Sequence, residues 1–173
     1  MRTLTILLIA ALLAPAANLF SDRRAPGFSL PDSKFGQHDL QDYRGKVVLI
    51  DIMQTGCPTC NKLADTLVQL KAKYGDKIAI LSVVTLPDSG ADADAFAYRH
   101  GMSWPIVLDS GQMIASYLEV TPANPKVTFP HLFIIDGQGM IRNDYGEADE
   151  TSLTVNTFST AIDKLLASGA KKI

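Results

Sequence analysis

The sequence predicts an α/β fold in which helices pack on a central mixed β-sheet. Residues 47–53 and 78–84 are almost entirely apolar, as strands buried on both faces of a sheet are. After the first of these runs, apolar residues recur at helical spacing: Leu63, Leu67, Leu70 and Tyr74. Along the chain the predicted segments follow the order β-α-β-α-β-α-β-β-α, which is typical of helices covering a sheet.

The first twenty residues have the pattern of an export signal. Arg2 supplies a positive charge, residues 4–13 form an apolar run broken only by Thr5, and residues 14–16 are an Ala-Pro-Ala cleavage motif. Because the run is shorter than the roughly 20 apolar residues of a membrane span, we expect a signal peptide over residues 1–20. An uncleaved N-terminal anchor is the alternative. Either form predicts a periplasmic or other extracytoplasmic protein.

The rest of the chain is interpreted as a linker followed by one domain. Residues 21–27 are polar and contain a Pro-Gly pair, and the length of the 173-residue chain suits one compact core over residues 28–173. Residues 28–30 and 38–40 alternate around a turn and predict an N-terminal β-hairpin. The later predicted elements are a helix at 91–99, a strand at 106–108, a helix at 112–118, a hairpin of strands at 131–136 and 140–142, and a helix at 150–168.

The charge pattern argues against a nucleic-acid partner, and the apolar pattern limits contact with a membrane to the N-terminal segment. The formal net charge is -2, and acidic and basic residues are interspersed along the chain. A nucleic-acid-binding protein needs a basic patch or stripe, and the sequence has none, so we expect no nucleic-acid partner. After residue 20 no run is long and apolar enough to cross a membrane, so membrane contact is expected only if residues 1–20 stay attached. His38 and His100 are assigned to the surface.

The two cysteines, Cys57 and Cys60, form a C-x-x-C motif that directly follows the first buried strand and begins a helix. The unpaired N–H groups and the positive dipole end of a helix start stabilise a thiolate at Cys57, which makes it the attacking sulfur. Cys60 lies one turn further along and can resolve a mixed disulfide, while Pro58 occupies a first-turn position that tolerates proline. A disulfide across two residues closes almost no loop, so the pair indicates redox chemistry rather than a structural bridge.

Asp51 is the only charged residue in the first buried strand. Strand alternation places it on the same face as Val47, Leu49 and Met53. Burial there disfavours the charged carboxylate and raises its pKa, so we expect a desolvated carboxyl group. A carboxylate that reaches solvent at the strand end, or that pairs with a lysine, is the alternative.

These motifs resemble the thioredoxin superfamily, and most closely its exported TlpA/ResA-type thiol–disulfide oxidoreductases. Besides the C-x-x-C motif, four segments carry the resemblance, at residues 25–30, 43–50, 104–109 and 129–136. It implies a thioredoxin-like three-layer α/β/α fold with a central mixed sheet and an N-terminal β-hairpin.

The resemblance also implies an activity, which is dithiol–disulfide exchange with exported protein substrates. It suggests the reducing direction, with a membrane dithiol carrier as the recharging partner, and it implies neither a cofactor nor a metal. The direction depends on the reduction potential, which the two residues between the cysteines do not fix.

Individual residues take roles through the same resemblance. Asp51 takes the position of the buried acid of thioredoxin, which helps to remove a proton from the inner thiol, so that the two cysteines and Asp51 form the expected catalytic set. Pro130 takes the position of the family's cis-proline, with an ordinary loop proline as the alternative. Phe129, Pro130 and Pro58 are expected to hold the extended backbone of a substrate.

Three departures from the family pattern concern specificity and redox potential. Residues 54–56 precede the motif where aromatic residues are usual, Leu63 stands where some members carry Glu, and His131 follows the cis-proline position where Thr is common. His131, since histidines titrate near neutral pH, is a candidate for tuning the cysteines, as is Met53. A histidine packed at a strand start without a catalytic role is the alternative.

Other function classes stay open at this point. Soft ligands for Cu(I) are present in four side chains: Met53, Cys57, Cys60 and His131. Copper chaperones of this fold resemble a C-x-x-x-C pattern, however, and the spacing here is one residue short. Thiol peroxidases of the peroxiredoxin type place Thr or Ser three residues before the reactive cysteine, where this chain has Gln54. A non-catalytic binding module is the third alternative.

Overall fold

Residues 20–146 and 151–169 are described by the structure, a computed structural model of the chain. Residues 1–19 of the predicted export signal, which include its apolar run and cleavage motif, lie outside the described residues. Within them, no helix combines the length and the apolar character that crossing a membrane requires.

The described residues contain one mixed sheet of six strands and a separate two-stranded hairpin. In chain order the strands are β1 (Arg23–Arg24), β2 (Ser29–Pro31), β3 (Gln37–Asp39), β4 (Val47–Ile52), β5 (Ile78–Thr85), β6 (Ile106–Asp109), β7 (His131–Ile135) and β8 (Met140–Tyr145). The sheet has the order β1-β8-β7-β4-β5-β6, and β2 pairs with β3 in the hairpin. Strands β4, β5 and β6 run parallel, whereas β7 pairs antiparallel with β4 and β8. The predicted mixed sheet and N-terminal hairpin are confirmed.

Four α-helices lie among the described residues. They are α1 (Pro58–Tyr74), α2 (Gly90–His100), α3 (Gln112–Tyr117) and α4 (Val155–Gly169). Local sequence defines both ends of α2. Ser89 and Asp92 form a reciprocal capping box at its start, and Gly101, with φ 64°, adopts the left-handed conformation that ends it.

The sheet separates two helical layers. On one face, Val48, Ile50 and Ile52 of β4 pack in a cluster that includes residues of α3. On the other face, Val47 and Leu49 pack in a cluster with apolar residues of α1 and α4. Successive side chains of β4 therefore face opposite layers, and the protein has the predicted thioredoxin-like α/β/α arrangement.

The largest departure from the predicted elements is at the sheet edge. Residues 21–27, predicted to be a linker, contain β1, which pairs antiparallel with Met140 and Ile141 of β8. A strand of two arginines at the edge of the sheet is too short to show an alternation of apolar and polar residues. The sequence therefore gives no sign of β1. Elsewhere the element ends move by a few residues. β8 continues to Tyr145, and α4 begins at Val155 rather than at residue 150.

Candidate functional site

Cys57 lies at the start of α1, where its sulfur makes two polar contacts. The residue is the N-cap of α1, and its Sγ accepts a hydrogen bond from the Cys60 N–H at 3.2 Å. The thiol donates to the carbonyl oxygen of Phe129 at 3.7 Å. The N–H contact and the positive end of the helix dipole both stabilise negative charge on this sulfur. The predicted position of Cys57 at a helix start is confirmed, and both cysteines are free thiols here.

Cys60 lies one turn further into α1, with only 1% of its surface exposed. It belongs to an apolar cluster that includes Met53 and Phe96. Burial raises the pKa of the Cys60 thiol, and the hydrogen bond with Cys57 and the charge of Asp51 act in the same direction. Cys60 therefore keeps its proton until a base removes it.

Asp51, on β4, is 1% exposed. Burial raises the pKa of its carboxyl group to about 7, and a hydrogen bond from Ser82 works in the opposite direction. The Ser82 hydroxyl donates to Oδ2 at 3.0 Å, whereas Oδ1 has no hydrogen-bond partner among the described residues. The expectation of a desolvated carboxyl group is confirmed. No described lysine forms an ion pair with it, so neither alternative given above applies.

Ser82 and Trp104 extend this contact into a chain of hydrogen bonds. Ser82 pairs in register with Asp51 across β4 and β5, and the indole Nε1 of Trp104 donates to Ser82 Oγ at 3.0 Å. Because an indole N–H can only donate, the single hydroxyl hydrogen of Ser82 is left for the carboxylate. Sequence analysis missed Ser82. A sequence signal for it exists, because Ser82 is the one polar residue in the otherwise apolar run at residues 78–84.

The segment that precedes β7 lies against the reactive cysteine. The peptide bond between Phe129 and Pro130 is cis, as the resemblance implies. Phe129 packs against the same apolar cluster as Cys57 and Cys60, and its carbonyl oxygen is the acceptor of the Cys57 thiol. A polypeptide that reaches the Cys57 sulfur therefore passes next to this segment.

His131 is on the other side of the sheet from Asp51. It pairs in register with Ile52, whose side chain points to the opposite face from its neighbour Asp51. Its ring stacks on Phe133 with centroids 4.5 Å apart, and its Nε2 lies 3.7 Å from Asp144 Oδ2. The structure therefore brings Met53 to the cysteines, whereas His131 is packed at the start of β7.

Two observations bear on the alternative functions. No group of three or more His, Cys, Asp or Glu side chains that could hold a metal ion is found within the described ranges. The backbone N–H and the hydroxyl of Thr55 donate to the carboxylate of Asp88 at 2.7 and 2.8 Å. The only hydroxyl group just before Cys57 is thus directed to a carboxylate rather than to the sulfur.

Several known proteins that are similar to this chain in sequence or structure are named as thiol–disulfide oxidoreductases. The thiol-disulfide oxidoreductase ResA of Geobacillus thermodenitrificans is 29% identical over 151 residues, which cover 82% of this chain and 83% of that protein. The thioredoxin domain of a thiol-disulfide oxidoreductase from Bacteroides vulgatus has a TM-score of 0.66 at 25% identity, covering 83% of this chain and 99% of that one. A thiol:disulfide interchange protein from Chlorobium tepidum has a TM-score of 0.67 at 16% identity, covering 88% of this chain and 99% of that one; this likeness shows the fold alone.

These similarities confirm the thioredoxin-like fold and the resemblance to ResA-type proteins that the sequence predicted. The similarity to ResA extends over 82% of this chain and not over one motif alone. The sequence model of the AhpC/TSA family matches residues 22–144, and the chain therefore belongs to the AhpC/TSA family.

Proposed function

We propose that the protein is a thiol–disulfide oxidoreductase that reduces disulfides in exported proteins through Cys57 and Cys60. One observation carries the proposal: a partly exposed sulfur begins α1, with a buried thiol and a buried carboxyl group behind it. The names of the relatives, which are thiol-disulfide oxidoreductases, support the same activity.

The reaction consists of two exchange steps. Cys57, as thiolate, attacks one sulfur of the substrate disulfide. The S–S bond breaks, the leaving substrate thiolate takes up a proton, and a mixed disulfide joins Cys57 to the substrate. Cys60 then loses its proton and attacks the Cys57 sulfur, which releases the second substrate thiol and leaves a Cys57–Cys60 disulfide. Two electrons pass from the dithiol to the substrate.

Asp51 is the proposed base of the second step. Burial raises the pKa of the Cys60 thiol, so this group needs a proton acceptor before it can attack. The pKa of Asp51 is about 7, which lets its carboxyl group take and return a proton near neutral pH. Its Oδ1 makes no other hydrogen bond among the described residues, so this oxygen is available for the proton.

Phe129, Pro130 and Pro58 are proposed to contact the substrate backbone. The carbonyl of Phe129 is within 3.7 Å of the Cys57 sulfur, and Pro58 follows Cys57 directly in the chain. Neither proline has an N–H group, so neither presents a donor that would compete for the sulfur. An extended substrate segment next to Cys57 therefore meets two proline rings and the Phe129 carbonyl, which becomes available as an acceptor when Cys57 loses its thiol hydrogen.

The reducing direction is proposed from the resemblance to ResA-type oxidoreductases. A dithiol protein oxidises its partners strongly when its reduced form is stabilised, so the reduction potential of the Cys57–Cys60 pair decides the direction. Residues 1–20 support export, and a dithiol carrier in the membrane is the proposed source of electrons.

Equilibration of the protein with glutathione buffers of graded potential tests activity and direction together. We expect reversible formation of a Cys57–Cys60 disulfide with a midpoint closer to the thioredoxin value of about -270 mV than to the DsbA value of about -120 mV. A midpoint at the oxidising end would overturn the reducing direction, and failure to form the disulfide would overturn the activity.

Export is tested separately with the full chain carrying a C-terminal affinity tag. Expression in a Gram-negative host is expected to yield protein in the periplasmic fraction, with a mass that shows removal of the N-terminal signal peptide. Recovery from the cytoplasm at full mass would contradict the proposal, whereas an extracytoplasmic protein of full mass bound to the membrane would identify an anchor.

A further inference from the structure

A bridge of side chains connects the last residue of α2 to the backbone around Cys57. The side-chain Nδ2 of Asn61 donates to the carbonyl oxygen of Cys57 at 2.7 Å and to that of Thr55 at 3.3 Å. Its Oδ1 faces Nε2 of His100 at 2.9 Å. The other ring nitrogen of His100, Nδ1, lies 2.7 Å from Oδ1 of Asp65.

The partners in this bridge determine where its hydrogens lie. Carbonyl oxygens only accept hydrogen bonds, so Asn61 must direct its amino group at Cys57 and Thr55 and its oxygen at His100. That oxygen needs a donor, and so does the carboxylate of Asp65. Both ring nitrogens of His100 therefore face acceptors, and this geometry favours a hydrogen on each of them and a positively charged ring.

Burial separates the two charges of this bridge. The side chain of His100 is 10% exposed, whereas that of Asp65 is 66% exposed, so water screens the carboxylate far more than the ring. The ring also packs on Phe96, with centroids 4.5 Å apart. One side chain, Asn61, separates the positive charge from the start of α1. His100 is thus held inside the protein rather than on the surface, where sequence analysis assigned it.

The backbone just before Cys57 also makes contacts at the other end of α2. The N–H and the hydroxyl of Thr55 donate to Asp88, which stands directly before Ser89, the N-cap of α2. The side-chain amide of Asn61 donates to the carbonyl oxygens of Thr55 and Cys57. Its own side-chain oxygen contacts His100 at the end of α2. Asp88, just before α2, and His100, its last residue, therefore hold the polar groups of Thr55 and, through Asn61, the carbonyl of Cys57.

We propose that His100, acting through Asn61, is a positioning residue for Cys57. It fixes the peptide groups that set the direction of the reactive sulfur, and it adds a positive charge behind the start of α1. The proposal rests on the proposed dithiol chemistry of Cys57 and extends it to a residue on another helix. It predicts that loss of the imidazolium slows attack by Cys57 and stabilises the disulfide relative to the dithiol, because the reduced form loses favourable charge.

A His100→Phe variant removes both hydrogen bonds and keeps a ring against Phe96. His38→Phe is the matched control, because His38 also contacts a carboxylate, Asp32, but does so in the N-terminal hairpin. We expect the rate of Cys57 alkylation by iodoacetamide near neutral pH to fall about five- to tenfold in His100→Phe and to stay unchanged in His38→Phe. The equilibrium with glutathione is expected to shift toward the disulfide by a similar factor.

A second variant and a spectroscopic measurement complete the test. Asn61→Leu is expected to reproduce the effect of His100→Phe, and the two changes combined are expected to add little, because they break one bridge. In nitrogen-15 NMR spectra of the unmodified protein near neutral pH, both ring nitrogens of His100 should carry hydrogen. This last measurement needs no variant, so it decides the protonation of the bridge even if a substitution prevents folding.

The possible results separate the positioning role from the proposed function. Alkylation rates and glutathione equilibria within about twofold of the unmodified protein would overturn the positioning role, as would a His100 nitrogen without hydrogen. If alkylation responds as expected but no protein disulfide is reduced, the proposed substrate reaction fails while the positioning of Cys57 stands.

Discussion

Cys57 and Cys60 are one helical turn apart, yet their surroundings are opposite. Cys57 is partly exposed, accepts an N–H from the helix start and lies next to the Phe129 carbonyl. Cys60 is 1% exposed in an apolar cluster, and burial raises its pKa. The difference assigns an order to the two sulfurs: one meets the substrate as an anion, and the other holds its proton until the mixed disulfide has formed.

Replacing each cysteine in turn is the strongest test of this order. Cys57→Ser is expected to reduce the rate of disulfide exchange by more than about 10³-fold, because the attacking sulfur is gone. Cys60→Ser should still attack but should stop at the mixed disulfide, which mass spectrometry detects as a covalent complex with the substrate. Accumulation of such a complex with Cys57→Ser instead would reverse the assignment.

The proton acceptor of the inner sulfur is tested by Asp51→Asn. We expect the resolving step to slow by about 10²-fold, which is typical of a lost general base. In the unmodified protein this rate should rise as pH increases through about 7, because the pKa of Asp51 is about 7 and only its ionised form accepts a proton. Stopped-flow measurement over roughly three pH units, from about 5.5 to about 8.5, checks the profile. An unchanged rise in the variant would exclude Asp51 as the base.

Asp51 also makes folding stability depend on pH. Its folded pKa of about 7 exceeds the value of about 3.9 for an unfolded chain, so the folded state binds the proton more tightly. Stability from this group is therefore present at low pH and is lost as pH rises from about 4 to about 7. Above that range Asp51→Asn should raise the free energy of unfolding by about 2–4 kcal/mol, measured by urea unfolding. A variant less stable than the unmodified protein at alkaline pH would contradict this.

Ser82→Ala is expected to have a smaller effect on the same resolving step. The Ser82 hydrogen bond lowers the pKa of Asp51 against the effect of burial, so its loss should move the rise of the resolving rate to higher pH. Near neutral pH we expect a rate reduction of about three- to tenfold. Trp104→Phe is the matched control, because it removes the donor to Ser82 and leaves the Ser82–Asp51 contact in place. An equal shift in both variants would assign the effect to packing.

The sequence reveals the parts of this site that are local in the chain. Cys57 and Cys60 are visible from their spacing and the helix pattern after them, and Asp51 is visible because a single charge interrupts an apolar strand. Both signals arise within one element, where periodicity determines burial. The fold follows from the same alternation, apart from β1, which is too short to show one.

Contacts between elements are what sequence reasoning missed. Asn61 and His100 are 39 positions apart, and each is an ordinary polar residue on a helix. Only the packing of α2 against α1 makes them partners, and nothing in either helix alone indicates it. His131 illustrates the same limit. The sequence left open whether it tunes the cysteines or packs at the strand start, and the pairing of β7 with β4 places its side chain on the opposite face of the sheet from Asp51.

His131→Phe should therefore have the smallest effect on exchange. The ring stacks on Phe133 and lies 5.5 Å from the ring of Phe20, so a phenyl group retains most of the packing. We expect the exchange rate to stay within about twofold of the unmodified protein. Stability is expected to fall by about 1–3 kcal/mol, because the buried carboxylate of Asp144 would lose the imidazole nitrogen that lies 3.7 Å from its Oδ2. Kinetics and urea unfolding measured on the same sample separate the two effects, and a tenfold change in rate with unchanged stability would restore His131 as a residue that tunes the cysteines across the sheet.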